Sequence, residues 1–544
     1  MKRTLVFLII LLIPLSLHAN EQRIIPIDSE VYDLLELLSA EAGYAMLSDV
    51  MPYSEAQVFG ILDQLDKSKL SEAGNNAIDR IYELTEITPV YSEDNFAADI
   101  SVTAALEGYL HSSDDESQWQ YGYEERQPFF TLSVETWFNE GFYAVMEPDL
   151  GESRFVLTNT DSDGNYIGNY TNIPSEFGEL NYHFPSRGFF SFGGDNWNLQ
   201  IGRDQLEYGN GETGNLIISS YPDFYDFAKI KGFADNFAYT WTYINFESWD
   251  DEDPAQRFMV DHALEARLFD ILTLGVNESA LFYGEDTELQ FISPLIVYHN
   301  LFRNHSLYEI IYDTDGTEND ITQPTIANIC MTVGFELAPL PGFSLYGEYL
   351  LDEIQTGVEA SEYGEGVMST PDSNAHMLGI KGSYPLGPGY FSGFFEYIYT
   401  SPWCYLVGIE EADMAWTHRE LSDVTNSREN VIKAIGLEYG PDTIVFAAEA
   451  GYIMPSVFEA ALTADYVLKG ENYITTEYDD DNTVTTPTGT PEHILVIGLS
   501  GSYEIFSFLS AALDLAWVRI GNYEHVQDDV FMDFQAAASI VFNI

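Results

Sequence analysis

The stretch FAYTWTYINF, residues 237–246, puts Phe237, Tyr239, Trp241 and Tyr243 at alternate positions, with Ala238, Thr240 and Thr242 between them. A period of two belongs to a β-strand, whose successive side chains point to opposite faces. One face here is a row of large aromatic rings; the other is small and hydroxylated. The same division recurs along the chain. In ADISVTAALEGYL, Ile100, Val102, Ala104 and Leu106 alternate with Ser101, Thr103, Ala105 and Glu107. In YFSGFFEYIYT, Phe391, Phe395, Tyr397 and Tyr399 oppose Ser392 and Glu396. The final residues place Phe534, Ala536, Ala538, Ile540, Phe542 and Ile544 against Asp533, Gln535, Ser539 and Asn543.

Segments of about ten alternating residues separated by polar loops are the pattern of a transmembrane β-barrel. A soluble β-sandwich also alternates, but one sandwich needs far fewer residues than this unbroken series. Its outward row is also not normally a sequence of Phe, Tyr and Trp. The expected fold is therefore an all-β, antiparallel transmembrane barrel over residues 95–544. About 25 residues per strand and its share of loop give about 18 strands, an even number as such barrels require.

Before residue 90 the period is helical. In DSEVYDLLELLSAEAG, Val31, Leu34, Leu35 and Leu38 share one face, Asp28 or Ser29 can cap, and Gly43 terminates. Ser54 and Gln57 fit a capping box ahead of Val58, Ile61, Leu62 and Leu65. A third segment carries Ile78, Ile81, Tyr82 and Leu84. Residues 20–90 are expected to form a small periplasmic helical bundle resting on something larger, since three short helices bury little alone. Residues 1–19 carry Lys2 and Arg3, an apolar run too short to span a bilayer, and Ala19 at the cleavage position. This is the pattern of a secretory signal peptide.

The chain holds 88 acidic and 21 basic residues, a formal net charge of −67. Such a balance disfavours nucleic acid and anionic lipid surfaces as partners, because both require a basic face. Disorder is the ordinary correlate of such acidity, yet 36 tyrosines and 15% aromatic residues argue for a packed structure. Many acids fall in turn-like runs, at 159–165, 249–254, 312–320 and 476–482. They read first as solvated loops, with diffuse divalent-cation binding as the functional alternative. Asp161, Asp163 and Asn165 do not complete an EF-hand, so no metal site is assigned. No cofactor is expected. Other acids lie on strands. Glu348 and Asp352 share a parity with Ser344 and Tyr346, and Glu265 and Arg267 oppose Leu264, Ala266 and Leu268. Carboxylates facing lipid are costly, so these should point into the lumen, with Arg267 paired to nearby Glu265. Cys330 and Cys404 could pair in an oxidising compartment, but their spacing makes no redox or zinc motif. No G-x-S-x-G elbow or H-E-x-x-H occurs, and paired carboxylates mean little among 88 acids. The chain is not expected to be an enzyme.

The stretch LQIGRDQLEYGNGETGNLIISS, residues 199–220, sets a Gly- and acid-rich centre between two half-apolar segments. It lacks the Lys of a P-loop. Gly209, Gly211 and Gly214 allow a tight turn or a fold back into the barrel mouth. Arg203 lies on the parity of Trp197, Leu199 and Ile201, facing lipid. A bulge at Gly202 is expected to turn Arg203 inward, toward Asp204 or Glu207.

This block resembles one in the capsule-assembly family of outer-membrane barrels, the Wzi-like proteins. IPIDSEVYDLLELLSAEAGY with MPYSEAQVFGILDQL, HALEARLFDILTLGVNESALFYG, FSLYGEYLLDE and FFEYIYTSPWCY resemble further blocks of that family in the same order. Met51 stands where the family usually carries a basic residue. The resemblance implies an outer-membrane barrel with periplasmic helices that holds capsular or exopolysaccharide at the cell surface. Gly202, Arg203, Asp204, Tyr208, Gly209, Gly211, Gly214, Ser219, Tyr346, Glu348 and Asp352 match its motif positions. Arg203, Asp204, Tyr208, Tyr346, Glu348, Asp352, Glu265 and Arg267 are the candidates for glycan binding or for a lumen network. The expected partners are surface polysaccharide and outer-membrane lipid. A surface of this charge repels acidic polymers, so the glycan should be neutral or bridged by cations. The competing reading is a porin-like channel with an acidic, cation-preferring lumen.

Overall fold

In the computed structural model the alternating segments pair into one closed barrel. The structure describes residues 22–93, 95–113, 120, 126–139, 141–151, 170–174, 180, 187–246, 256–284, 325–353, 372–406, 415–424, 427–476 and 485–544. Residues 1–19, expected to be a signal peptide, and most of the acidic runs at 159–165, 249–254, 312–320 and 476–482 lie outside these residues. The wall has 18 long strands: β1 (Phe96–His111), β2 (Phe130–Phe138), β3 (Phe142–Glu147), β4 (Arg187–Gly194), β5 (Trp197–Asp204), β6 (Tyr225–Ala234), β7 (Phe237–Phe246), β8 (Gln256–Leu268) and β9 (Leu272–Gly284). They continue as β10 (Thr325–Leu340), β11 (Phe343–Glu353), β12 (Ser373–Leu386), β13 (Gly389–Thr400), β14 (Thr443–Met454), β15 (Phe458–Lys469), β16 (Glu492–Phe506), β17 (Leu509–Gly521) and β18 (Val530–Asn543). Each is antiparallel to its neighbour, and β18 returns to β1 with Ile540 opposite Leu106. Closure leaves no unpaired edge, which is what a sheet in hydrocarbon needs.

The parity read from the sequence sets the two faces. On β7, Ala238, Thr240 and Thr242 are fully buried, while Phe237, Tyr239, Trp241 and Tyr243 lie on the outer surface. On β18, Asp533, Gln535 and Ser539 point in, and Phe534 and Ile540 point out. Leu264, Leu378, Phe395, Leu462, Leu499 and Leu513 extend this exposed apolar exterior around the barrel. Water solvates such a belt poorly; acyl chains suit it.

Turns of two or three residues join strands at one end, among them Asp195–Asn196, Asp235–Asn236 and Gly387–Pro388. The helices α1 (Glu30–Ala42), α2 (Glu55–Gln64) and α3 (Glu72–Thr85) sit at this short-turn end. Ala45 N donates to Asp270 O at 2.9 Å, Gly342 N to Ala40 O at 2.7 Å, and Arg80 pairs with Glu504 at 2.8 Å. Ser29 caps α1, and Gly43, at φ 78°, closes it in the left-handed conformation. Val31, Leu34, Leu35 and Leu38 pack on Val58, Ile61, Leu62, Ile78 and Ile81, and the whole rests on Tyr390 and Ile453 of the wall. Two expectations change. Ser54 accepts from Gln57 N, but the Gln57 side chain finds no partner among the described residues, so only half of the capping box forms. Tyr82 lies outside the buried face, 39% exposed and stacked on Phe59.

The bulge expected at Gly202 is absent. The β5 ladders to β4 and β6 run unbroken past it, so Arg203 keeps the outward parity of Trp197, Leu199 and Ile201. Its partner is neither Asp204 nor Glu207 but Asp226, directly opposite on β6, through two hydrogen bonds of 2.9 Å. The guanidinium also lies 3.7 Å from the Phe224 ring centroid. A cross-strand carboxylate at the loop-end rim neutralises the charge without an inward turn. Gly202 is required for another reason. At φ 142°, a Cβ there would stand 2.4 Å from Gly188 O and 2.6 Å from Phe189 Cα. Gly202→Ala should therefore lower stability by about 1–3 kcal/mol, seen as a lower temperature for loss of the heat-modifiable folded band on gels.

Candidate functional site

The barrel is entered from both ends by its own chain. Residues 43–54 run as an extended strap from α1 up the lumen, and residues 205–224, between β5 and β6, fold down into it. They meet in a two-residue antiparallel pairing, Val50 opposite Tyr208 and Met51 opposite Glu207, and Gly209 N donates to Asp49 O at 2.9 Å. Gly209 stands at φ 135°, where a Cβ would meet the Asn215 side chain at 2.3 Å.

Inward wall residues hold the strap. Lys229 Nζ donates to Pro52 O, and Lys231 Nζ to Val50 O and Ser48 Oγ, all at 2.8 Å. Glu265 accepts from Ser48 Oγ and Asp49 N, both at 2.7 Å. Arg267 donates to Ala45 O at 3.3 Å, to Asp235 O at 2.8 Å and to the Gln64 side chain. Glu265 and Arg267 thus face the lumen, but they do not pair with each other as expected. Each is taken by the strap and its surroundings, which lie between the wall and any centre. Met46 N donates to Glu336 at 3.1 Å, and Arg187 of β4 binds Ile24 O at 2.8 Å. Asp204 is buried on Arg187 at 3.0 Å and Gln200 at 2.8 Å.

The descending loop is held on the other side. Glu396 of β13 accepts from Glu212 N at 2.9 Å, Thr213 N at 3.1 Å, Tyr346 Oη at 2.9 Å and the Thr213 hydroxyl. The Leu216 amide and Thr332 act on Glu348 from nearby. Asp352 receives Tyr405 N at 2.7 Å and Cys330 Sγ at 3.4 Å. Cys330 and Cys404 are both free and buried. A second inward segment lies on the first: Tyr405 Oη and Trp416 Nε1 each donate at 2.7 Å, to Leu216 O and Ile217 O, and Ser219 Oγ donates to Gly436 O. Tyr208, its Oη 2.6 Å from Thr242 Oγ1, joins Leu206, Leu216, Ile217, Ile218, Tyr405, Trp416 and Leu437 in an apolar core inside the barrel.

The candidates therefore separate. Asp204, Tyr208, Tyr346, Glu348, Asp352, Glu265 and Arg267 come together in the lumen, all under 10% exposed, and all but Glu348 are hydrogen-bonded to protein partners. Arg203 stands apart, on the outer rim. Sequence reasoning missed Lys229, Lys231 and Glu396, which hold the two intruding segments; lysines at the inward positions of Tyr225–Ala234 were the available signal.

Lys381 links these parts at the short-turn end. Its Nζ lies 2.8 Å from Glu36 of α1 and 3.1 Å from Glu212 of the loop. Beside it is a cavity of about 290 Å³ lined by Asp33, Glu36, Glu212, Glu336, Glu449 and Glu459.

No protein-family model matches the chain, and no curated protein matches its sequence. Solved structures do. Wzi, an outer-membrane protein involved in group 1 capsule assembly in Escherichia coli and described as a carbohydrate-binding β-barrel, is 14% identical. The match covers 95% of this chain and 99% of Wzi at a TM-score of 0.54. OprD of Pseudomonas aeruginosa is 10% identical over 84% of this chain and 98% of its own, with a TM-score of 0.39. The channel DcaP of Acinetobacter baumannii is 7% identical over 84% and 100%, at 0.37. The likeness to Wzi is one of architecture: a closed 18-strand barrel with helices at the N-terminus.

Two measurements test this lumen. Lys231→Met removes the donor to Ser48 Oγ and Val50 O and should cost about 1–3 kcal/mol in thermal or denaturant unfolding. Burial, with Glu36 nearby, pushes Glu212 up to about 8. A carboxyl raised on folding adds stability at low pH that is lost as pH rises through its folded value. The unfolding temperature should therefore fall between about pH 5 and pH 8, and Glu212→Gln should flatten that slope.

Proposed function

We propose that this chain is an exported outer-membrane barrel, residues 1–19 its signal peptide, that retains polysaccharide at the cell surface without chemical turnover. The observation that carries this reading is the lumen core around Tyr208, Ile217 and Trp416. A barrel with an apolar core of its own chain inside the lumen is poorly built for diffusion and free to present its outer loops. The likeness in architecture to Wzi, a carbohydrate-binding barrel, supports the same direction.

Glycan contact belongs to the long-loop end, because the lumen candidates are buried and committed. Tyr473 there is 46% exposed, its Oη 2.7 Å from His525 Nε2, with Glu471 and Glu524 also exposed in these loops. An aromatic face beside carboxylates and an imidazole is a surface that a sugar ring can cover by stacking and hydroxyl hydrogen bonding. The net charge makes a neutral or cation-bridged polymer the fitting ligand.

A second reading, a cation-preferring channel, has one observation in its favour. A crevice of about 210 Å³ beside β15–β18 is lined by Asp465, Ser500, Asp514 and Gln535. Planar-bilayer recording separates the two. The retention reading expects no steady current, and a large cation-selective conductance would overturn it. In cells, deletion should move polysaccharide from the cell-bound to the shed fraction, and Tyr473→Ala should reproduce part of that loss with the barrel still folded. If the polymer is anionic, a chelator should release it; equal retention with and without chelator rules out cation bridging.

A further inference from the structure

A small cavity of about 40 Å³ lies where the strap, the descending loop and the wall meet. Asp49 and Val50 line it from the strap, Gly209 and Asn210 from the loop, and Glu265, Asn277, Thr332 and Glu348 from β8 to β11. Three side-chain oxygens of these residues are buried and receive no hydrogen bond among the described residues: Asn210 Oδ1, Asn277 Oδ1 and Glu348 Oε2. Glu348 and Asn277 are only 7% and 8% exposed. The remaining atoms of these groups explain the orientation. Asn210 Nδ2 is held by Phe335 O at 3.0 Å, which leaves its oxygen a pure acceptor, and the Asn277 side chain acts on the Asp261 carboxylate from nearby.

Acceptors without donors leave two kinds of occupant, water or a cation. Water supplies hydrogen bonds but no charge, and charge is what the junction lacks. Asp49, Glu265 and Glu348 bring three carboxylates. Lys231 acts on Asp49 and Glu265, while the groups acting on Glu348 are Thr332, the Leu216 amide and a further carboxylate, Glu396.

We infer that this junction binds one hard cation of the calcium type, held by the Glu348 carboxylate and the Asn210 and Asn277 amide oxygens. Neutral amide and carboxylate oxygens from three different segments suit Ca²⁺, which accepts irregular oxygen shells, better than Mg²⁺, which demands a near-ideal octahedron. An imidazole- or thiolate-seeking metal finds neither ligand in this lining. The bound ion ties strap, loop and wall together at the point where the two lumen segments pair.

The test uses the full-length protein in detergent, stripped with chelator and titrated with Ca²⁺. The unfolding temperature should rise and saturate. Glu348→Gln and Asn277→Leu should each need about tenfold or more Ca²⁺ for the same rise. Asp528→Asn with Asp529→Asn, in an exposed loop, should leave the titration unchanged. Glu348→Gln keeps the shape and removes a buried charge, so it should fold at least as well as the stripped wild type. An unchanged titration in Glu348→Gln would assign the effect to the acidic loops and overturn the inference. A crystal grown with Ca²⁺ provides an independent readout: an anomalous peak in the cavity supports the site, and water alone refutes it.

Discussion

Two buried lysines on one strand, Lys229 and Lys231, donate to the carbonyls of Pro52 and Val50, and most of the interior follows from that contact. An extended strap crossing a lumen exposes its backbone N–H and C=O groups to a space with little water, where each needs a partner. Wall side chains supply them. Glu265 takes Asp49 N, Glu336 takes Met46 N, and the lysines take the carbonyls beyond. Once the strap is fixed, Val50 and Met51 offer an edge, and residues 207–208 pair with it. The loop then presents Leu216, Ile217 and Ile218, over which Tyr405, Trp416 and Ile435 pack.

Such an interior is costly for a membrane protein in one respect. Buried ionic groups are worth little net stability unless every partner is present, and strongly destabilising when one is removed. The lumen lies within that narrow margin: Arg187 serves Asp204 and Glu147, and Arg23 serves Glu55 and Glu135. With so few basic residues against 88 acids, Arg187, Arg23 and Lys381 each stand between two carboxylates. The exterior has the opposite economy. There the wall depends only on closure and an apolar belt.

How much of this was legible in the chain depends on the range of the interaction. The wall was readable because its rule is local: Phe237 to Tyr243 and Phe534 to Phe542 alternate by sequence position alone, and lipid outside enforces the alternation. The helix caps at Ser29 and Gly43 were readable for the same reason. Gly202 shows where local reading fails. A glycine in a strand suggested a bulge, yet it accommodates close backbone approach from β4 while the register continues, and Asp226 rather than Asp204 neutralises Arg203.

The sequence by itself determined the barrel, its approximate strand number, the inward parity of Glu265, Arg267, Glu348 and Asp352, and the helical N-terminus. Only the tertiary structure decided what those inward groups do. Glu265 and Arg267 are two residues apart on one strand and looked like a pair. Asp49 and Ala45, some 220 residues away, claim them instead. The physical reason is that a barrel brings distant segments into one shared interior, where the unmet hydrogen bonds of an intruding backbone compete with the attraction of neighbouring charges. That competition has no signature in sequence spacing.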